Sequence, residues 1–99
     1  AIYGAPSSSI MVTSPNGGQW WSVGSWKTIG WTSRNVTGSV RIEVSRDRGA
    51  TWVTISASTY NDGRYTWRVT GPSTYSARIR VTSLSTGVSD TSNYSFAIR

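Results

Sequence analysis

The chain contains neither cysteine nor histidine. Without cysteine, no disulfide can staple the fold, and no thiolate is present as nucleophile or zinc ligand. Without histidine, the side chain best suited to proton transfer near neutral pH is missing. Leucine occurs once, as Leu84, methionine once, as Met11, and no segment repeats apolar residues at helical spacing, so helices are not expected. No run approaches the roughly 18 apolar residues of a membrane-spanning helix, so no membrane partner is expected. Acids are few, namely Glu43, Asp47, Asp62 and Asp90. A glycosidase needs two carboxylates flanking one sugar bond. Asp47 and Asp62 fall in turn sequences, where shaping the turn is the simpler role. Glu43 faces out of a strand between Arg41 and Ser45, where a surface ion pair is expected. Asp90 with loop carbonyls makes a poor calcium set. No catalytic residue, metal site or cofactor is therefore expected, and the chain does not read as an enzyme.

What remains is a strand-and-turn composition. Val, Ile, Tyr and Trp dominate the apolar set, and these residues suit pleated, half-buried surfaces. Alternation is plain in Val40, Ile42 and Val44 against Arg41, Glu43 and Ser45, and again in Ile79 and Val81 against Arg78, Arg80 and Thr82. Turn signals fall between such runs: SPNGG at 14–18, RDRG at 46–49, NDG at 61–63 and Gly71-Pro72. Ninety-nine residues fit one domain. The pattern predicts an all-β, immunoglobulin-like antiparallel β-sandwich of about seven or eight short strands. Residues 1–9, small and Ser-rich, read as a linker remnant, and residues 10–99 as the module.

Four of the six tryptophans lie in residues 17–31, as Trp20, Trp21, Trp26 and Trp31. Side chains at i and i+2 share a face of a strand. Ile29 and Trp31 therefore point inward and Trp26 outward, and Trp67 joins Tyr65 and Val69 in the core. Trp52 opposes Val53 and Ile55, which places it outside and them inside. Trp20 and Trp21 precede the second long strand, where adjacent rings cannot both point inward. Trp20, Trp21, Trp26 and Trp52 are expected to form one exposed apolar row. A flat aromatic row complements the axial C–H face of β-linked sugars, with Ser, Thr and Asn at its edge meeting equatorial hydroxyls. Neighbouring strands, about 4.8 Å apart, can repeat rings near the spacing of sugar units, and a flat platform of this kind suits an insoluble crystalline face.

The formal net charge is +6. A basic balance raises nucleic acid as a partner, yet the nine arginines and one lysine are scattered singly, without the run that marks a phosphate-binding arm. Nucleic acid is not the expected partner. Two alternatives remain beside glycan binding. One is a structural spacer or cell-surface domain with most rings buried. The other is single-strand binding by aromatic stacking in a basic groove.

Five stretches, SPNGGQWW, TIGW, VRIEVSRDRGATWVTI, NDGRYTW and ARIRVTS followed by VSDTSNYSFAI, together resemble the SPNGG-type immunoglobulin-like domain of secreted microbial proteins, fungal cell-wall and Ser-Thr-rich anchored families among them. The likeness covers residues 10–99. In that pattern the tryptophans matching Trp21, Trp31, Trp52 and Trp67 are common, while Trp20 and Trp26 are additions. A tryptophan-enriched version is similar to carbohydrate-binding module family 64. That resemblance implies a planar platform for crystalline cellulose, carried here by Trp20, Trp21, Trp26 and Trp52. It further implies a secreted, extracellular, monomeric module covalently attached to a glycoside hydrolase.

Overall fold

The computed structural model describes residues 8–99. Most of the expected linker at 1–9 lies outside the described residues. Ser9 already belongs to the first strand, and the Ser8 hydroxyl donates to the Asn35 carbonyl at 2.9 Å. Among the described residues there are nine strands and no helix: β1 Ser9–Ser14, β2 Trp20–Trp21, β3 Trp26–Arg34, β4 Ser39–Ser45, β5 Val53–Tyr60, β6 Arg64–Arg68, β7 Thr74–Ser83, β8 Ser89–Thr91 and β9 Phe96–Ile98. They form two sheets, one ordered β1-β3-β6 and the other β2-β9-β7-β4-β5, with β8 beside β7. This is the expected all-β sandwich.

Two features raise the strand count above seven or eight. β8 and β9 both pair antiparallel with β7, β8 along Arg80–Thr82 and β9 along Thr74–Ala77, so they are two halves of one interrupted strand. β2 is only two residues long and pairs with β9 in parallel, the one departure from antiparallel pairing among the described residues.

The alternation read from the sequence sets the core. Ile10 and Val12, Ile29 and Trp31, Val40, Ile42 and Val44, Trp67 and Val69, Ala77, Ile79 and Val81, then Phe96 and Ile98 are all buried. Trp31 is 3% exposed and Trp67 6%, as expected for inward positions. A buried indole also needs a partner for its N–H. Trp31 Nε1 donates to Asn61 Oδ1 at 2.8 Å, and Asn61 Nδ2 donates in turn to Ser33 Oγ and the Val36 carbonyl. The NDG turn thus anchors a core ring as well as reversing the chain.

The SPNGG stretch does more than turn. It carries the chain from one sheet to the other and fills the gap between β8 and β9. Ser92 Oγ donates to the Pro15 carbonyl at 2.6 Å and accepts from the Ile79 amide. The Tyr94 amide donates to the Asn16 carbonyl, the Asn93 amide to Asn16 Oδ1, and the Gly18 amide to the Ser95 carbonyl. Gly17 is pressed against Tyr94 so closely that a Cβ there would sit 2.5 Å from the Tyr94 Cβ, and its φ is +145°. Only glycine suits both conditions.

The sheets are unequal, and this overturns one expected burial. Val53 pairs with Val44 at the edge of the larger sheet, on its inner side, yet it is 57% exposed because the three-stranded sheet does not reach it. Ile55 alone of the expected pair packs against the core.

Trp31→Ala should remove about 3–5 kcal/mol of stability, the usual cost of truncating a buried aromatic. Trp26→Ala, at a ring 65% exposed, should stay within about 0.5 kcal/mol. Urea unfolding of both variants checks the pair; equal losses would contradict the assigned facing.

Candidate functional site

The four rings expected to form one row occupy three different environments. Trp21 is 7% exposed, which overturns its placement in solvent. Its ring centroid lies 5.3 Å from Phe96 and 6.3 Å from Trp67, tilted by 57° and 56°. Tilted contacts of this kind add roughly 0.5–1.5 kcal/mol each beyond burial. With Trp21 committed to the core, alternation turns Trp20 outward from the six-stranded sheet, where it is 61% exposed. Trp26 is outward too, as expected, but it belongs to β3 and faces solvent from the three-stranded sheet opposite Arg68. The core separates the two faces. Trp20, Trp21, Trp26 and Trp52 therefore do not make a single planar row.

Trp52 is on the outer side, as alternation requires, but it is half-buried rather than free. The Arg80 guanidinium lies 4.1 Å from its ring centroid. Arg80 Nε and Nη2 both donate to Glu43 Oε1, at 3.1 and 3.0 Å, and Arg41 Nε reaches the same oxygen at 3.3 Å. The indole covers the guanidinium while the carboxylate is held by its N–H groups, and Glu43 is only 8% exposed. The expected surface pair at Glu43 is thus a covered one.

The turn before Trp52 is closed by side-chain hydrogen bonds. Ser45 Oγ donates to Asp47 Oδ1 at 2.7 Å and accepts from the Gly49 amide at 2.7 Å. The Thr51 amide donates to Asp47 Oδ1, and the Thr51 hydroxyl to Asp47 Oδ2. Gly49 has φ +96°, a backbone conformation that favours glycine, and a Cβ there would only touch Trp52 Cζ2, at 3.5 Å. Asp47 and Trp52 are parts of one folded turn. Asp90 is likewise engaged, its Oδ2 accepting from the Val12 amide at 2.7 Å.

A different cluster forms around Trp20. Arg99 follows β9, and its amide donates to the Trp21 carbonyl at 2.9 Å, which brings its side chain out beside Trp20. Its guanidinium lies 4.6 Å from the Trp20 ring and 5.3 Å from the ring of Tyr75. Tyr75 is 72% exposed and sits where the pairing of β7 with β9 shifts register between Thr74 and Ala77. Two exposed aromatic rings thus share one cation on the outer surface of β2, β9 and β7. Alternation alone hides Tyr75, because the register shift re-aims it. Among the described residues no guanidinium stacks on Trp26, so its face lacks this arrangement.

Hydrogen bonds from the Thr51 hydroxyl, the Ser45 hydroxyl and the Thr51 amide hold the Asp47 carboxyl down at about 2. A depressed pKa means that its contribution is fully present above about 3.9 and disappears as pH falls through 2. The thermal midpoint of the natural chain should therefore fall between pH 4 and pH 2 by more than that of Asp47→Asn, and the two should converge at the acid end. Parallel profiles would remove Asp47 from this role.

Comparison with protein-family models, with curated proteins and with solved structures found no match to this chain.

Proposed function

We propose that the chain is a non-catalytic glycan-binding module. It adsorbs to insoluble β-1,4-glycans such as cellulose, in a secreted protein whose catalytic work is done by an attached glycoside hydrolase domain. The single observation that carries this reading is the pair of exposed rings, Trp20 and Tyr75, gathered on one sheet face around Arg99. Large aromatic rings left in water are costly unless something covers them. A sugar's apolar face can cover such rings by stacking, and the guanidinium N–H groups, with Ser95 and Ser76 on the neighbouring strand edges, supply donors and hydroxyls for the sugar's own hydroxyls. The binding surface in this reading is smaller than the four-ring row and differently composed: Trp20, Tyr75 and Arg99.

The spacer reading has its own support. Trp21, Trp31 and Trp67 are core residues, and Trp52 is fastened beneath Arg80, so four of the six indoles have structural work. It predicts no adsorption to any polysaccharide.

Depletion from solution by microcrystalline cellulose separates the two. Trp20→Ala should weaken adsorption roughly 5- to 150-fold, the equivalent of about 1–3 kcal/mol of ring stacking, and Tyr75→Ala should act in the same direction. Trp26→Ala, on the opposite face, should leave adsorption within about twofold. Binding to this neutral surface should persist in 1 M salt, where the Debye length is about 3 Å. An unaffected Trp20→Ala variant, or a natural chain that never leaves solution, would sink the reading.

A further inference from the structure

We propose that the face around Trp20 prefers an acidic glycan, a β-linked chain bearing carboxylates, and that Arg78 and Arg99 are the groups that receive them. This rests on the glycan-binding reading of that face. Alternation along β4, β7 and β9 turns Arg41, Arg78, Arg80 and Arg99 to the outer side of the six-stranded sheet, with Glu43 as the carboxylate among them. Glu43 is used up, since Arg41 and Arg80 both donate to its Oε1. Arg78 has only a 3.4 Å contact from Nε to Ser95 Oγ, and Arg99 has only the two rings. Among the described residues neither guanidinium meets an Asp or Glu side chain. Arg99 therefore stands beside two exposed rings, and Arg78 on the same sheet face, each without an acidic side chain on it.

The geometry suits a sugar acid. A guanidinium stacked on a ring directs its N–H groups sideways, in its own plane, where a carboxylate is held by two parallel hydrogen bonds. A sugar could thus lie on the indole while its carboxylate meets the edge of Arg99. Arg78, on the strand beside β9, faces the same surface and would take a second acidic unit or the same one. A nucleic acid strand carries a phosphate at every nucleotide and is matched by a groove of many cations tracking the backbone. Two free guanidiniums fit sparse carboxylates better than a continuous line of phosphates.

The test uses affinity electrophoresis of the 99-residue chain in gels holding hydroxyethyl cellulose, carboxymethyl cellulose or single-stranded oligothymidylate. The two celluloses share a backbone and differ in charge. At low salt, carboxymethyl cellulose should bind about tenfold more tightly or better, and 1 M NaCl should erase that excess. Arg78→Gln and Arg99→Gln should each bring the acidic-to-neutral ratio down towards one. Arg34→Gln and Arg64→Gln remove the same charge from the outer side of the three-stranded sheet and should leave the ratio unchanged. A ratio lowered equally by all four variants would assign the excess to bulk charge and overturn the proposal. So would equal binding to both celluloses, or tighter binding to oligothymidylate than to carboxymethyl cellulose. Binding to neither cellulose would overturn the glycan reading itself, a result distinct from equal binding to both.

Discussion

A chain that changes sheets inside a sandwich exposes backbone groups to the interior, and those groups must find partners there. Here the change happens between β1 and β2, and the partners come from the break between β8 and β9. Pro15 and Asn16 are bound by Ser92, Asn93 and Tyr94, and Gly18 by Ser95. The rest of the molecule follows from this one clasp. It makes β2 a two-residue strand against β9, which sends Trp21 onto Phe96 and Trp67 and leaves its neighbour Trp20 outside. It also brings the backbone of Arg99 against Trp21, so that the Arg99 side chain emerges beside Trp20. The aromatic cluster is a by-product of how the crossing is satisfied.

The arginines take two kinds of work. Arg46 reaches the far loop, Nη2 donating to the Thr70 carbonyl at 2.8 Å and Nε to the Pro72 carbonyl at 3.1 Å. Arg80 lies between an indole and a carboxylate. A planar, always charged fork suits such places better than an ammonium, which accounts for arginine rather than lysine at these two positions. A net charge of +6 is thus partly an outcome of construction rather than a sign of a polyanion-binding arm.

Period-two alternation was enough to place Ile29 and Trp31 inside and Trp26 outside, because β3 is long and regularly paired. Strand composition and turn spacing were likewise enough for the sandwich. Trp21 was not legible, since a two-residue strand has no period and its facing depends on β9, more than seventy residues away. For Trp52 the side was readable and the cover was not, because the cover comes from Arg80 on a strand two places across the sheet. Tyr75 was hidden by a shifted register. The pentad SPNGG advertised a turn, while its larger role depended on a distant SNYS segment that no local rule connects to it. Local pattern reported orientation; burial was settled by what the other sheet and its loops supply.

The parallel pairing of β2 with β9 has a mechanical consequence. β2 and β9 run in the same direction, so Gly18, where the chain enters β2, and Arg99, where it leaves β9, lie at opposite poles of that pair. Tension applied between those poles would not peel β2 from β9 one bond at a time. It would draw the two strands past each other, so that the bonds from the Gly18, Ala97 and Arg99 amides resist together. Strung in a taut chain, a domain of this topology should extend little until those bonds fail as a group.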